Sequence, residues 1–141
     1  MFTEKEIEYL KSQRLGRLAT VSKNGQPDVV PVGFQLDGNT IWVGSGTQEI
    51  FFRGKKYLNV SKGNQKVAFV VDDLESIQPW KPRTIKIYGT AEVVDHSGMF
   101  GPGKYIKITP KISWSAGINS ALPDYKQAEV KIGDWRTKTV H

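Results

Sequence analysis

The 141-residue sequence contains no cysteine and only two histidines. The first absence excludes disulfides, thiolate nucleophiles, zinc fingers and iron–sulfur clusters, and the second leaves few ligands for a transition metal, so no metal site is expected. No run approaches the roughly 18 consecutive apolar residues of a membrane span. The start, Met1-Phe2-Thr3-Glu4-Lys5-Glu6, lacks the apolar core of a signal peptide. A soluble, cytoplasmic chain with no membrane partner is expected. Phosphate-cradling signatures are missing too: Gly44-Ser45-Gly46 is followed by Glu49 where a dinucleotide fingerprint needs its third glycine, and no Walker sequence occurs. Hydrolysis needs a positioned histidine, and His96 and His141 fall in segments expected to be exposed. Asp72-Asp73, ending a strand before a loop, reads as a solvated turn rather than a carboxylate dyad. No catalytic side chain is assigned.

What is present suits one folded domain. Apolar residues make up 38% and charged residues 24%, with 4 Trp, 5 Tyr and 6 Phe, more packing surface than a disordered chain carries. The formal net charge of +6 favours an anionic partner. Its distribution is uneven: between Arg53 and Lys66 lie Arg53, Lys55, Lys56, Lys62 and Lys66 with no acidic residue.

The chain opens with a short helix signature. Thr3 and Glu6 form a capping box, Phe2 and Ile7 occupy the staple positions, and Gly16 is expected to end the helix. The period then becomes that of strands: 17–21, 27–34 after an Asn24-Gly25 hairpin turn, and 40–44 after Asp37-Gly38-Asn39. Residues 48–61 read as a short helix or helical turn. Strands follow at 66–71, at 83–94, where Gly89 marks a bulge, and at 104–109. Six strands with little helix indicate an all-β barrel or sandwich. Residues 1–114 are taken as the domain and 115–141 as a tail of little regular structure, or one packing on a partner subunit.

The basic cluster beside glycine-ended strands gives the chemical lead. Arg53, Lys55 and Lys56 would bind a phosphate through charge-assisted hydrogen bonds, and Gly44-Ser45-Gly46 admits a planar ligand close to the backbone. A merely solvated basic face explains the composition equally well. Trp80, in the stiff Pro79-Trp80-Lys81-Pro82 loop, is either a local plug or a lid over a flat ring. Binding of single-stranded nucleic acid is disfavoured, because stacking aromatics should alternate with cations along strands, whereas these lysines gather in one connection.

The chain resembles the pyridoxamine-phosphate-oxidase-like split-barrel proteins, the flavin/deazaflavin oxidoreductases, and within them the branch dependent on coenzyme F-420. The resemblance runs from Phe2 to about Trp114. It rests on Gly16-Arg17-Leu18-Ala19-Thr20-Val21, Asn24-Gly25-Gln26-Pro27, Val30-Pro31-Val32-Gly33-Phe34, Lys55-Lys56-Tyr57-Leu58-Asn59-Val60, Val67 to Asp73, Pro79 to Arg83, and Ile106-Lys107-Ile108-Thr109-Pro110 running into Ser113-Trp114. It implies a split β-barrel, an FMN-binding-like six-stranded antiparallel Greek-key barrel, working as a homodimer with a flavin or deazaflavin between subunits. By the same resemblance Lys56, with Asn59 and Lys55, contacts the cofactor phosphate. Val30, Pro31, Val32 and Gly33 border the ring, Ser45 lies near the ribityl chain, and Trp80 and Arg83 approach the cleft. Coenzyme F-420 is the expected cofactor and FMN the alternative, with a small organic molecule as substrate. A cofactor-binding protein without turnover keeps the same fold. The arginine and histidine pattern of the oxidase's C-terminal substrate segment is missing, so that enzyme's own activity is not expected. Because the cofactor ring performs the chemistry, the lack of a visible acid–base dyad is consistent.

Overall fold

The computed structural model describes residues 1–44, 54–120 and 136–141. Helix α1 (Glu4–Ser12) begins at Thr3, whose hydroxyl accepts from the Glu6 amide while the Glu6 carboxylate accepts from the Thr3 amide at 3.0 Å. Phe2 and Leu10 of this segment are buried in the main core. The helix ends at Ser12 with Gln13 already extended. Gly16 is therefore not its terminator. It lies within strand β1 (Leu15–Val21), where a Cβ would stand 2.2 Å from the Phe69 ring. Close approach of that ring, not chain reversal, requires glycine here.

β1 turns at Asn24-Gly25, Gly25 having φ +89, into β2 (Pro27–Asp37), which turns at Gly38, φ +59, into β3 (Thr40–Gly44). A short helix α2 (Lys55–Leu58) continues as one wider turn, Asn59–Gly63. β4 (Lys66–Ser76), β5 (Lys81–Gly98) and β6 (Gly101–Ala116) follow as long antiparallel strands. The order β3-β2-β1-β4-β5-β6, with β6 also pairing back to β3, closes a six-stranded barrel. The return of β4 beside β1 after the β1-β2-β3 meander is a Greek key. The register shifts at Tyr88/Gly89, so the expected bulge is present, and a Cβ on Gly89 would meet the Thr109 carbonyl oxygen at 2.3 Å.

Alternation puts Leu18, Val32, Phe34, Ile41, Val43, Phe69, Ile85, Ile87, Ile106 and Ile108 inside the barrel, all buried. Each such side chain contributes about 1.5–3 kcal/mol relative to exposure. Among the described residues beyond 114, strand appears where periodicity does not indicate it: β6 runs to Ala116, and β7 (Arg136–Val140) pairs with Ile112–Ala116. Backbone pairing to a free edge, not an apolar face, makes this strand, which is why its Arg-Thr-Lys-Thr-Val pattern does not advertise it. His141 follows, its ring bonded to Ser113 at 2.8 Å and Asn39 at 3.1 Å and 4.5 Å from that of Phe2. Burial, reinforced by the nearby N-terminal amine, holds its pKa below the ordinary histidine value. His96, expected in an exposed segment, stacks on Trp42 at 3.7 Å between centroids.

Candidate cofactor site

Lys56 is half-buried, its Nζ 4.7 Å from the centroid of the Tyr57 ring. Burial lowers its pKa, and the Asp28 carboxylate partly opposes the shift. Asp28 Oδ2 is itself buried with no hydrogen-bond partner among the described residues, so the ammonium is the charge that compensates it. Lys55 is exposed. Asn59 is buried, and its Nδ2 donates to Thr20 Oγ1 at 2.9 Å. Two adjoining cavities, about 450 and 610 Å³, lie between this segment and the β1–β2 turn and share Ser22, Asn24, Leu58 and Asn59. Lys55 lines the smaller beside Asp28, and Lys23 and Lys62 line the larger. These donors fit a phosphate, with ammonium groups for charge and the Asn24 side-chain amide for a neutral hydrogen bond, the Ser22 hydroxyl being already donated to Asn24 Oδ1.

From this cationic end β2 carries the site along the barrel wall. Val32 is buried and Val30 packs against the core, so both face inward, whereas Val29, Pro31 and Gly33 face out. Of the four residues expected to border a ring, Pro31 and Gly33 lie on the outer face of β2 and the two valines point into the barrel. Ser45 lies outside the described residues. Trp80 and Arg83 sit at the other end of the barrel, as register shows: Val21 pairs with Pro27 near the lysines, while Leu15 pairs with Gly33 and Asp73 pairs with Arg83. Trp80 is 60% exposed on the β4–β5 hairpin. The Arg83 guanidinium is held by Asp73, through Nε at 2.9 Å and NH2 at 2.5 Å. The Tyr9 hydroxyl also donates to that carboxylate, at 3.0 Å. Asp73, read as a solvated turn residue, is thus an interior partner of β4. The Arg83 hydrogen bonds, followed by that of Tyr9, hold its pKa below the usual carboxylate value. Burial, and then Asp73, push the Tyr9 phenol up.

Beside this groove the outer wall is apolar along one continuous row. Cross-strand neighbours Val29, Ala19, Ala68, Tyr88, Ile112 and Val140 run through β2, β1, β4, β5, β6 and β7, with Val29, Tyr88 and Val140 exposed. The next row, Pro31, Arg17, Val70, Lys86, Trp114 and Lys138, mixes cations with apolar groups, and Lys86 Nζ lies 4.7 Å from the Trp114 ring. Sequence inspection sees these residues only as scattered; the register assembles them.

The closed six-stranded Greek-key barrel, with cationic cavities at one end of the exposed β2 wall, defines a split β-barrel. Residues 2–139 match the model of the pyridoxamine 5'-phosphate oxidase family, and the chain belongs to that family. It is 45% identical over 101 residues to a 5a,11a-dehydrotetracycline/5a,11a-dehydrooxytetracycline reductase of Streptomyces rimosus subsp. rimosus, the match covering 69% of this chain and 67% of the relative. Among solved structures, HupZ of Group A Streptococcus superposes with a TM-score of 0.64 at 22% identity over 88% of this chain and 100% of that one. An FAD binding protein from Mycobacterium smegmatis gives 0.58 at 19% identity over 79% and 91%. These two likenesses concern the fold.

Proposed function

We propose that this protein is an oxidoreductase that binds coenzyme F-420 along the outer face of β2 and reduces a small conjugated organic molecule. The observation that carries the reading is the 45% identity to a reductase over 101 residues, a stretch long enough to include most of the barrel. The cationic cavities supply the electrostatic half of the argument. A phosphate with a poly-carboxylate tail is drawn to Lys23, Lys55 and Lys62 of the cavities and to Lys56, which lines neither but interacts with Asp28, the one lining carboxylate among the described residues.

When bound, the deazaflavin ring supplies the hydride. Lys56 and Lys55 would hold the phosphate, and the outer face of β2 at Pro31, ending at Gly33 under the Phe100 ring, would border the ring. The apolar wall excludes water from one face. A second copy of the chain covers the Val29-to-Val140 row, making the working unit a cytoplasmic homodimer. Trp80 then reaches the neighbouring groove, whereas the Arg83 guanidinium stays committed to Asp73. No helix among the described residues is long and apolar enough to cross a membrane.

The test is titration of the purified protein with F-420 and with FMN, followed by reoxidation of each reduced cofactor with a panel of enones and quinones. Tighter binding of F-420 with acceptor-dependent reoxidation is expected. A yellow protein that turns over only with FMN supports the FMN reading instead. Binding without turnover by any acceptor makes the protein a passive carrier.

A further inference from the structure

The tip of the β5–β6 hairpin is held in an unusual way. Phe100 lies over two glycines of adjacent strands: a Cβ on Gly33 would stand 3.1 Å from its ring and one on Gly44 2.9 Å. A side chain at Gly33 would force the ring to give by a few tenths of an ångström, and one at Gly44 would meet both it and the Tyr105 ring, at 2.5 Å. The buried Tyr105 hydroxyl pins the tip, accepting from the Phe100 amide at 3.0 Å and the Gly98 amide at 3.3 Å and donating to the Gly101 carbonyl at 2.6 Å. The Met99 amide donates to the Gln35 side chain of β2 at 3.2 Å. A hairpin tip is ordinarily among the looser parts of a fold. This one is fixed by four hydrogen bonds around an aromatic ring that the core does not need, since Phe100 is 40% exposed.

Its position is informative. From Pro27, beside the lysines, to Gly33, under Phe100, six residues of strand span about 20 Å, the reach of a flavin-type ring with its ribityl phosphate arm. We propose that Phe100 is a specificity-determining residue, whose exposed ring face at the far end of the β2 groove is the stacking surface for a planar, conjugated, multi-ring acceptor. The inference rests on the reading of β2 as the cofactor floor. Neighbouring Met99, also exposed, gives the acceptor a deformable second contact. Aromatic stacking favours acceptors with an extended π-face and does little for a single small ring.

The experiment compares wild type, Phe100→Ala and Phe100→Leu with two acceptors, anthraquinone-2-sulfonate and 2-cyclohexen-1-one, together with cofactor titrations and melting curves. Phe100→Ala is expected to raise KM for the anthraquinone about five- to tenfold. Its kcat, the cofactor Kd and the cyclohexenone kinetics should be unchanged, and Phe100→Leu should fall between. Equal effects on both acceptors, no effect on either, or a parallel loss of cofactor affinity overturns the proposal. If Phe100→Ala does not fold, Phe100→Leu alone decides, by the same split between acceptors. If wild type binds neither cofactor, the groove reading has failed, and direct titration of the anthraquinone by tryptophan fluorescence then judges Phe100 separately. Weaker binding to the variant sustains the aromatic surface, and equal binding removes it.

Discussion

Arg83 and Asp73 face each other across β5 and β4 as register partners and are joined by two charge-assisted hydrogen bonds, at 2.9 and 2.5 Å. The pair is partly buried under α1, with Tyr9 completing it. Arg83→Gln leaves Asp73 under-compensated and should destabilise the fold by about 1.5–3 kcal/mol. The folded pKa of Asp73 is depressed, so its contribution is complete above the unfolded carboxylate value of about 3.9 and is lost as pH falls below that value through the lower folded one. Urea midpoints measured from pH 7 down to pH 3 should therefore fall more steeply for wild type than for Arg83→Gln.

Lys56→Ala should weaken cofactor binding about ten- to a hundredfold, the consequence of losing one charged hydrogen bond worth roughly 1.5–3 kcal/mol. Lys11→Ala, on the exposed face of α1, is the control. Equal and small effects on Kd would mean that the lysines of α2 only solvate the surface.

Tyr88→Glu places a charge in the middle of the apolar row and should convert a dimer into a monomer of 15.8 kDa in sedimentation velocity runs at micromolar concentration. Wild-type protein sedimenting as the same single species would remove the two-subunit site.

His96→Ala should keep most of its turnover, because the imidazole is engaged by Trp42 at 3.7 Å and by the edge of Tyr105, not by the groove floor. Stability is where the change registers, at about 0.5–1.5 kcal/mol for the lost ring contact. A rate loss of several orders of magnitude with intact cofactor binding would falsify a mechanism run by the cofactor alone.

Gly16→Ala forces a methyl into a position 2.2 Å from the Phe69 ring, itself fully buried. Overpacking of this kind costs about 1–3 kcal/mol. Thermal melting should show the loss, and Phe69→Leu in the same chain should recover part of it.

The local features were legible in the sequence. Thr3 with Glu6, Asn24 with Gly25, Gly89 and the six barrel strands all express rules acting within a few residues or within one strand's alternation. The features that were not legible depend on partners far along the chain. Gly16 looks like a helix stop until β4 brings Phe69 against it. Asp73 looks like a turn residue until β5 folds back to set Arg83 opposite. Asn59, three residues after Lys56, lines both cavities while its amide donates to Thr20 of β1, a partner that nothing near it in the chain announces. The basic character of the site was visible in composition, but the Phe100 seat was not, because it joins two glycines and a hairpin tip from three separate strands.

Strand β6 pairs with β5 along its whole length, with β3 through Tyr105–Ile108, and with β7 through Ile112–Ala116. During synthesis, a nascent chain that has not yet released these residues carries β3 and β5 with open edges, each rich in Val and Ile and able to pair with another chain. The ribosome thus exposes an aggregation-prone sheet until β6 emerges, and a single segment then caps both edges at once. Nonsense mutations that remove β6 should accordingly give inclusion bodies rather than a smaller soluble barrel.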